Sequence, residues 1–342
     1  MMRSVSILRT RGGTRTFATY PQTGQVPTTF LGTGCYLPEA RITNEFLESL
    51  VDTSDEWIKS RTGISERRRV GPMDTAVTMA AAAGRLALQH AGCDEPDAII
   101  LATSSSGDVM PSTACLVQEV LGLNGMPAFD LNAACSGFVY AAATAHALVS
   151  SGSAGTVLII ASEVMTGLTD FSDRTTCVLF GDGASAAVIG PCAAADAGIR
   201  AISLGADGRE ADLIVYEHPS DGKPGGIRMA GRGTYRSAVE RICSVTLDLC
   251  QQAGWSPDQV SYFVPHQANA RIIEAAAARL NVEMSRVILN VARFGNTGGA
   301  SVGVALDEAV SDGRIKKGDK VIAMAFGAGS TWGGFALEWS QK

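Results

Sequence analysis

Short apolar runs alternate with helix-forming stretches of small residues along most of this chain. Runs this short and this apolar are typical of strands buried on both faces of a sheet. They cover residues 98–102, 128–131, 157–161, 186–189, 260–264, 321–325 and 335–339. The helical stretches cover residues 75–90, 137–150, 238–253, 270–280 and 300–312. The alternation predicts an α/β fold with largely buried sheets.

The order of these elements occurs twice along the chain. In each half an extended piece runs through a loop into a small-residue helix, at residues 130–138 (DLNAACSGF) and 290–299 (NVARFGNTGG). We therefore predict a tandem duplication with an N-terminal lobe at residues 29–200 and a C-terminal lobe at 201–342. In such a two-lobed globule, an active site is expected where the lobes meet.

Composition excludes several classes of function. The 342 residues carry a net charge of −6, whereas a chain that binds nucleic acid or an anionic membrane with its whole surface is basic. No apolar run reaches 18 residues, so no membrane span is predicted. The eight cysteines are scattered without C-x-x-C spacing, which argues against structural zinc. Most are expected to be reduced core thiols in a reducing compartment.

The N-terminus differs in composition from the rest of the chain. Arg3, Arg9, Arg11 and Arg15 are the only charged residues before Glu39, and serine and threonine are frequent. This composition is typical of an organelle transit peptide, and residues 15–18 (RTFA) resemble a mitochondrial processing site. Residues 1–28 are therefore predicted to be a transit peptide for the mitochondrial matrix or plastid stroma. The alternative is a poorly ordered tail on an enzyme of the bacterial cytoplasm.

Cys135 is the strongest candidate for a nucleophile. It precedes Ser136 and Gly137 at the start of a helix that is apolar almost all round. A thiol at a helix N-terminus lies near the positive end of the dipole, which predicts a lowered pKa and a reactive thiolate. The alternative interpretation is a packed core thiol.

Two further residues are candidates for the same site. His266 is the one histidine of four that follows a predicted buried strand, where open α/β folds bind ligands. Asn296 lies in a glycine-rich stretch that would ordinarily be read as a turn, but it stands opposite Cys135 in the duplication. Papain-like proteases use the same three residue types. Their cysteine lies near the mature N-terminus, whereas Cys135 lies inside an α/β lobe.

Eight short motifs together resemble β-ketoacyl-acyl-carrier-protein synthase III, a condensing enzyme of the thiolase fold. The resemblance extends from about residue 28 to residue 339. It implies a duplicated, five-layered α/β/α/β/α fold and a homodimer. The motifs are residues 32–38 (GTGCYLP), 51–58 (VDTSDEWI), 61–64 (RTGI), 133–137 (AACSG), 180–184 (FGDGA), 264–269 (VPHQAN), 295–297 (GNT) and 331–333 (TWG).

The resemblance implies a decarboxylative Claisen condensation that initiates fatty acid synthesis. Cys135 would take a short acyl group from acyl-CoA, and malonyl-acyl-carrier protein (malonyl-ACP) would then lose CO₂ and attack it. His266 and Asn296 would donate hydrogen bonds to the developing enolate. The backbone N–H of Ala328 would complete an oxyanion hole, and Phe326 would shield the malonyl carboxylate. No tightly bound cofactor and no metal are implied.

The same resemblance assigns binding residues. Trp57, Arg61 and Arg174 would hold the CoA adenine, and Asn269 would contact the pantetheine arm. Without the resemblance, the alternative for Trp57 is a packing residue on a helix. The acidic carrier protein would meet a basic patch whose members are Arg236, Arg271 and Arg279. For Arg279 alone, a solvated helix face is the alternative.

One residue departs from the family pattern. Met110 stands where a bulky phenylalanine is common, at a position that crosses the dimer interface and closes the neighbour's acyl pocket. Because methionine is slimmer and more flexible, we expect primers longer or more branched than acetyl to be accepted.

Two other functions remain as alternatives. An acyltransferase of the same fold would use Cys135 to acylate a polyketide or quinolone precursor. A non-catalytic module that binds acyl-CoA or carrier protein would have an unreactive Cys135.

Overall fold

The computed structural model describes residues 26–107, 109–193, 197–220 and 224–341. The predicted transit peptide, residues 1–28, lies outside the described residues except for its last three positions. Across the described ranges, none of the helices combines the length and the apolar character that a membrane span requires.

The strands follow the predicted positions closely. The runs at 98–102 and 128–131 match β4 and β5, and the other five runs overlap β6, β7, β11, β12 and β13. The strands are β1 (Thr28–Tyr36), β2 (Arg41–Thr43), β3 (Glu66–Arg68), β4 (Ala98–Ala102), β5 (Ala128–Leu131), β6 (Val157–Val164), β7 (Asp182–Pro191), β8 (Gly198–Ala206), β9 (Ile214–Glu217), β10 (Gly226–Met229), β11 (Tyr262–Pro265), β12 (Lys320–Gly327) and β13 (Thr331–Glu338).

The helices begin and end largely as their sequence signals indicate. Thr75 caps the first long helix through a reciprocal capping box with Thr78, and left-handed Gly92 ends it. The helices are α1 (Asn44–Glu48), α2 (Asp55–Thr62), α3 (Ala76–Ala91), α4 (Thr113–Val120), α5 (Gly137–Ser150), α6 (Gly231–Ala253), α7 (Ala270–Leu280), α8 (Val291–Phe294) and α9 (Ser301–Ser311).

Two sheets of matching topology form the framework. The first has the order β5-β4-β6-β7-β1 and the second the order β11-β12-β13-β8. In the first sheet, β4 pairs with β6 in parallel, and the pairs β6–β7 and β7–β1 are antiparallel. In the second sheet, β11 pairs with β12 in parallel, and the pairs β12–β13 and β13–β8 are antiparallel. In the second sheet, a parallel bridge between Phe263 and Val287 takes the place that the β4–β5 pair has in the first sheet. The predicted lobe boundary at 200/201 falls inside β8 and remains a prediction.

The sheets and helices form five layers. Helices α5 and α9 lie between the two sheets, in a core shared by both. Helices α3 and α4 cover the outer face of the first sheet, and α6 and α7 cover the outer face of the second. The predicted thiolase-like α/β/α/β/α fold is confirmed.

The middle layer is packed too closely for side chains at two glycines. A Cβ on Gly303 of α9 would lie 2.3 Å from Ser185 Oγ and 2.6 Å from a ring carbon of Phe138 on α5. A Cβ on Gly137, the first residue of α5, would lie 2.8 Å from the Cβ of Ala102. These glycines let the helices approach their neighbours closely enough to fit between the sheets.

Replacing Gly303 by alanine should therefore destabilise the protein, although alanine is the better helix former. The added methyl would displace Ser185, whose hydroxyl donates to the Ala300 carbonyl at 2.9 Å. We expect Gly303→Ala to lower the free energy of unfolding by about 1–3 kcal/mol, measured by urea denaturation at fixed protein concentration.

Gly231→Ala is the matched control, because Gly231 begins α6 and its Cβ would meet nothing within 4 Å. It should change stability by less than about 0.5 kcal/mol. Equal stabilities of the two variants would contradict the packing argument.

Candidate active site

Cys135 lies on a 3₁₀ turn, Ala134–Ser136, that leads directly into α5. Ala134 is in the left-handed region at φ 47°, and its N–H donates to Asn132 Oδ1 at 3.1 Å. The turn packs against β12, where a Cβ on Gly327 would lie 2.7 Å from the Cys135 nitrogen. Position 327 therefore requires glycine for the turn that carries the nucleophile to lie against β12 of the second sheet.

The prediction of a lowered pKa for Cys135 is wrong. Burial raises the pKa of the Cys135 thiol to about 12, and the charge of Glu163 contributes to this rise. A helix terminus is worth about 0.3–1 kcal/mol at an exposed site, which is too little to offset desolvation and a nearby like charge. In the resting state, the nucleophile is therefore a protonated thiol.

His266 follows β11 and is 4 % exposed. Its backbone N–H donates to the Met324 carbonyl at 2.8 Å, which ties it to β12. Burial lowers the pKa of His266 to about 4, so the imidazole is neutral near pH 7.

A buried serine sets the orientation of the His266 ring. Ser301 Oγ lies 2.5 Å from His266 Nδ1 and accepts the N–H of Gln267 at 3.2 Å. In the described structure, Nδ1 is the one acceptor within reach of the Ser301 hydroxyl hydrogen. This geometry favours the tautomer with hydrogen on Nε2, which makes Nε2 a donor toward the site.

Asn296 is held on both sides of its backbone. Its N–H donates to the Leu179 carbonyl at 2.9 Å, and its carbonyl accepts the N–H of Gly181 at 3.0 Å. Its Oδ1 accepts the N–H of Gly298 at 2.9 Å. Within the described ranges, Nδ2 makes no hydrogen bond and so remains available as a donor.

The three predicted residues converge on one place, although they come from different elements. The turn after Asn296 meets the Cys135 turn, since a Cβ on Gly299 would lie 3.0 Å from the Ala134 carbonyl oxygen. Two residues later, Ser301 holds His266. The arrangement offers one thiol and two uncharged donors. The described residues contain no group of three His, Cys, Asp or Glu side chains that could hold a metal ion.

The loop that contains Ala328, residues 326–330, is the predicted oxyanion loop, and it is fixed beside the Cys135 turn. Thr331 Oγ1 lies 2.9 Å from the Ala133 carbonyl oxygen and 3.1 Å from that of Ala328. Ser330 Oγ donates to Glu210 at 2.5 Å. Phe326, on β12, packs in the core beneath α6 and α7.

The residues predicted to bind CoA lie around α2. Trp57 and Arg61 are on this helix, and the Asn269 side chain donates to the Arg61 carbonyl at 3.1 Å. The guanidinium carbon of Arg174 lies 4.5 Å from the Trp57 ring centroid. Asn269 Oδ1 also caps α7 by accepting the N–H of Arg271, so its amide has a structural role beside the predicted one.

The residues predicted to bind carrier protein lie on two neighbouring helices. Arg236 is on α6, and Arg271 and Arg279 are on α7; all three are exposed. None forms an ion pair with an acid of the described chain. The hydroxyl of Tyr235 on α6 reaches the Arg271 carbonyl at 3.5 Å.

Met110 and its neighbour Val109 are 84 % and 95 % exposed in the single chain. They lie in the segment between β4 and α4.

Sequence reasoning missed the supporting residues Ser301, Glu163 and Glu210. Glu163 is a lone acid two residues after the apolar run 157–161, and an acid at the end of a predicted buried strand could have marked it as a candidate. Ser301 and Glu210 gave no signal, because only the fold brings them to His266 and to the oxyanion loop.

Comparisons with known proteins agree with this geometry. Residues 250–339 match the family model described as 3-oxoacyl-[acyl-carrier-protein] synthase III C terminal. Residues 129–208 match the model described as 3-oxoacyl-[acyl-carrier-protein] synthase III. A β-ketoacyl-[acyl-carrier-protein] synthase III of Roseiflexus sp. (strain RS-1) is 44 % identical over 321 residues, covering 90 % of this chain and 97 % of that one.

Two solved structures have nearly the same fold. A 3-oxoacyl-[acyl-carrier-protein] synthase III from Aquifex aeolicus VF5 has a TM-score of 0.88 at 43 % identity, covering 91 % of this chain and all of that one. The priming β-ketosynthase of the R1128 polyketide biosynthetic pathway has a TM-score of 0.88 at 34 % identity, covering 93 % and 97 %. The chain therefore belongs to the β-ketoacyl-acyl-carrier-protein synthase III family.

Proposed function

We propose that this chain joins a short acyl group from acyl-CoA to malonyl-ACP, giving β-ketoacyl-ACP, CoA and CO₂. Membership of the family gives the class of reaction, the initiating condensation of fatty acid synthesis. The observation that carries the residue roles is the convergence of Cys135 with His266 and Asn296 where the two sheets meet.

The first step is an exchange between two sulfur atoms. The sulfur of Cys135 forms a bond to the acyl carbon, and the bond from that carbon to the CoA sulfur breaks. The thiol proton of Cys135 ends on CoA, so no net base is consumed. A resting thiol with a raised pKa is compatible with this step. The N–H groups of Cys135 and Ala328 would stabilise the tetrahedral oxyanion.

The second step uses the two neutral donors. Malonyl-ACP loses CO₂, and its thioester oxygen takes the negative charge of the enolate. Nε2–H of His266 and Nδ2–H of Asn296 would donate to that oxygen. The enolate carbon then attacks the acyl carbon, the bond to the Cys135 sulfur breaks, and the sulfur takes up one proton. Phe326 would shield the departing carboxylate from water.

The two substrates would approach over different helices. CoA would bind beside helix α2 through Trp57, Arg61 and Arg174, and Asn269 would lie near its pantetheine arm. The acidic carrier protein would dock on Arg236, Arg271 and Arg279, which have no acidic partner of their own among the described residues. No tightly bound cofactor takes part in either step.

A second copy of this chain would complete the acyl pocket. Met110 is largely exposed in the single chain and, by resemblance to the family, would close the pocket of the partner. The homodimer and this role of Met110 are part of the proposal.

An alternative is condensation for a polyketide rather than for a fatty acid. It is favoured by the similarity to the priming ketosynthase of the R1128 pathway. The same catalytic chemistry would serve fatty acid and polyketide synthesis. The two functions therefore differ in the carrier protein that the enzyme uses and in the product that it forms.

Cys135→Ser should abolish transfer from acetyl-CoA, because a serine hydroxyl without an activating base is a poor nucleophile toward thioesters. Intact-mass measurement should show an acetyl adduct on the parent enzyme and none on the variant. Formation of acetoacetyl-ACP should fall at least about 10³-fold. Cys115→Ser, at the exposed cysteine, is the control and should behave as the parent. An adduct of equal yield on Cys135→Ser would refute the assignment.

Ser301→Ala should impair condensation more than acylation, because it removes the partner that holds the His266 ring. By analogy with residues that orient histidine ligands, we expect about a 10-fold or greater loss in single-turnover condensation by the pre-acylated enzyme. Rapid-quench assays of the two half-reactions would measure this. Ser244→Ala, at an exposed serine of α6, serves as control. Equal losses in both half-reactions would argue against a role through His266.

Met110→Phe should narrow the range of primers. If methionine leaves room in the partner's pocket, the parent should use isobutyryl-CoA or butyryl-CoA, and the variant should lose about 10-fold on these relative to acetyl-CoA. The measurement is kcat/KM for each primer, with Met284→Phe as an exposed control. A parent enzyme that accepts acetyl-CoA alone would rule out this explanation.

A further inference from the structure

Glu163 is a buried acid that the proposed chemistry does not use. It lies near the end of β6 and is 1 % exposed. Among the described residues no cation contacts it; burial raises its pKa and hydrogen bonds alone oppose that rise. A buried carboxylate that has no counter-ion costs stability, so its position calls for an explanation.

On one side, the Glu163 carboxylate binds the segment that follows β4. It accepts the N–H of Ser104 at 3.2 Å and the hydroxyls of Ser104 at 3.0 Å and Ser105 at 2.6 Å. Ser105 Oγ in turn accepts the N–H of Val164 at 2.8 Å. The carboxylate therefore fixes the start of the segment that leads to Met110.

On the other side, the carboxylate supports the turn that follows Asn296. The backbone N–H of Gly299 lies near enough to lower the pKa of the Glu163 carboxyl. The fit is close, because a Cβ on Gly298 would lie 3.1 Å from Glu163 Cγ and one on Gly299 would lie 3.2 Å from its Oε1. Gly298 is also the residue whose N–H orients the Asn296 amide.

We propose that Glu163 is a positioning residue for condensation, which holds the Asn296 turn at a fixed distance from the Cys135 turn and from the segment leading to Met110. This inference rests on the proposed function. Gly299 lies between Glu163 and the Ala134 carbonyl, since a Cβ there would lie 3.2 Å from Glu163 Oε1 and 3.0 Å from the Ala134 oxygen. A shift of the carboxylate would therefore move the donor relative to the nucleophile.

The charge of Glu163 gives the proposal a second, substrate-free signature. The charge of Glu163 contributes to the raised pKa of the Cys135 thiol, and burial keeps the site's other titratable residue, His266, neutral near pH 7. Neutralising Glu163 should make the thiol more acidic and therefore faster to alkylate at a given pH.

The test compares Glu163→Gln with Ser105→Ala in the full-length protein. Glu163→Gln removes the charge and disturbs the hydrogen bonds, whereas Ser105→Ala removes the 2.6 Å bond and keeps the charge. For both variants we expect single-turnover condensation of the acetylated enzyme with malonyl-ACP to fall about 10- to 100-fold. Acylation by acetyl-CoA should change less than about threefold in Ser105→Ala and should not fall in Glu163→Gln.

Alkylation by iodoacetamide, followed at Cys135 by peptide mapping between pH 7 and 10, separates charge from position. It should be at least about threefold faster at pH 8 in Glu163→Gln and unchanged in Ser105→Ala. Glu119→Gln, at an exposed helix acid, is the control.

Folded variants that condense within twofold of the parent would overturn the proposal, as would equal losses in both half-reactions accompanied by a lower melting temperature. If Glu163→Gln does not fold, Ser105→Ala alone decides between these outcomes. A parent that makes no β-ketoacyl-ACP would refute the proposed function instead. The alkylation rates would still test whether Glu163 acts on the site.

Discussion

The contact between Gly327 and the turn that carries Cys135 is the constraint on which the site depends. The nucleophile lies at the start of α5, the helix between the two sheets, and the turn that carries it rests on strand β12 of the second sheet. The approach leaves no room for a side chain at position 327, just as Gly303 and Gly137 leave none between the middle helices and their neighbours. The site therefore depends on close packing between the middle helices and the two sheets, and small residues at a few positions determine its geometry.

Burial determines the chemistry that this geometry supports. The Cys135 thiol has a raised pKa and the His266 imidazole a lowered one, so neither group is charged at rest. A thiolate–imidazolium pair of the kind that cysteine proteases use is thereby disfavoured. Acyl exchange between sulfur atoms and stabilisation of an enolate by neutral donors fit this environment, since both avoid a permanent charge in a poorly solvated site.

Much of this structure could be predicted from the sequence, because local patterns specify local structure. The intervals 98–102, 128–131, 137–150 and 270–280 coincide with β4, β5, α5 and α7. Strands β1 and β8 were missed because glycine and polar residues interrupt their apolar pattern, and α6 begins seven residues before its apolar stretch. The pKa of Cys135 was mispredicted because Glu163 and the surrounding protein come close only in the folded chain.

The stacked pair of Arg174 and Trp57 has a thermodynamic consequence for substrate entry. Their separation of 4.5 Å leaves no gap for an aromatic ring, which needs about 3.5 Å of clearance on each face. For an adenine to bind between the two side chains, the side chains must first separate. If CoA binds there as proposed, its apparent affinity is the intrinsic affinity reduced by the fraction of molecules in which the pair is separated. Re-formation of the pair would then favour release of free CoA before the second substrate binds.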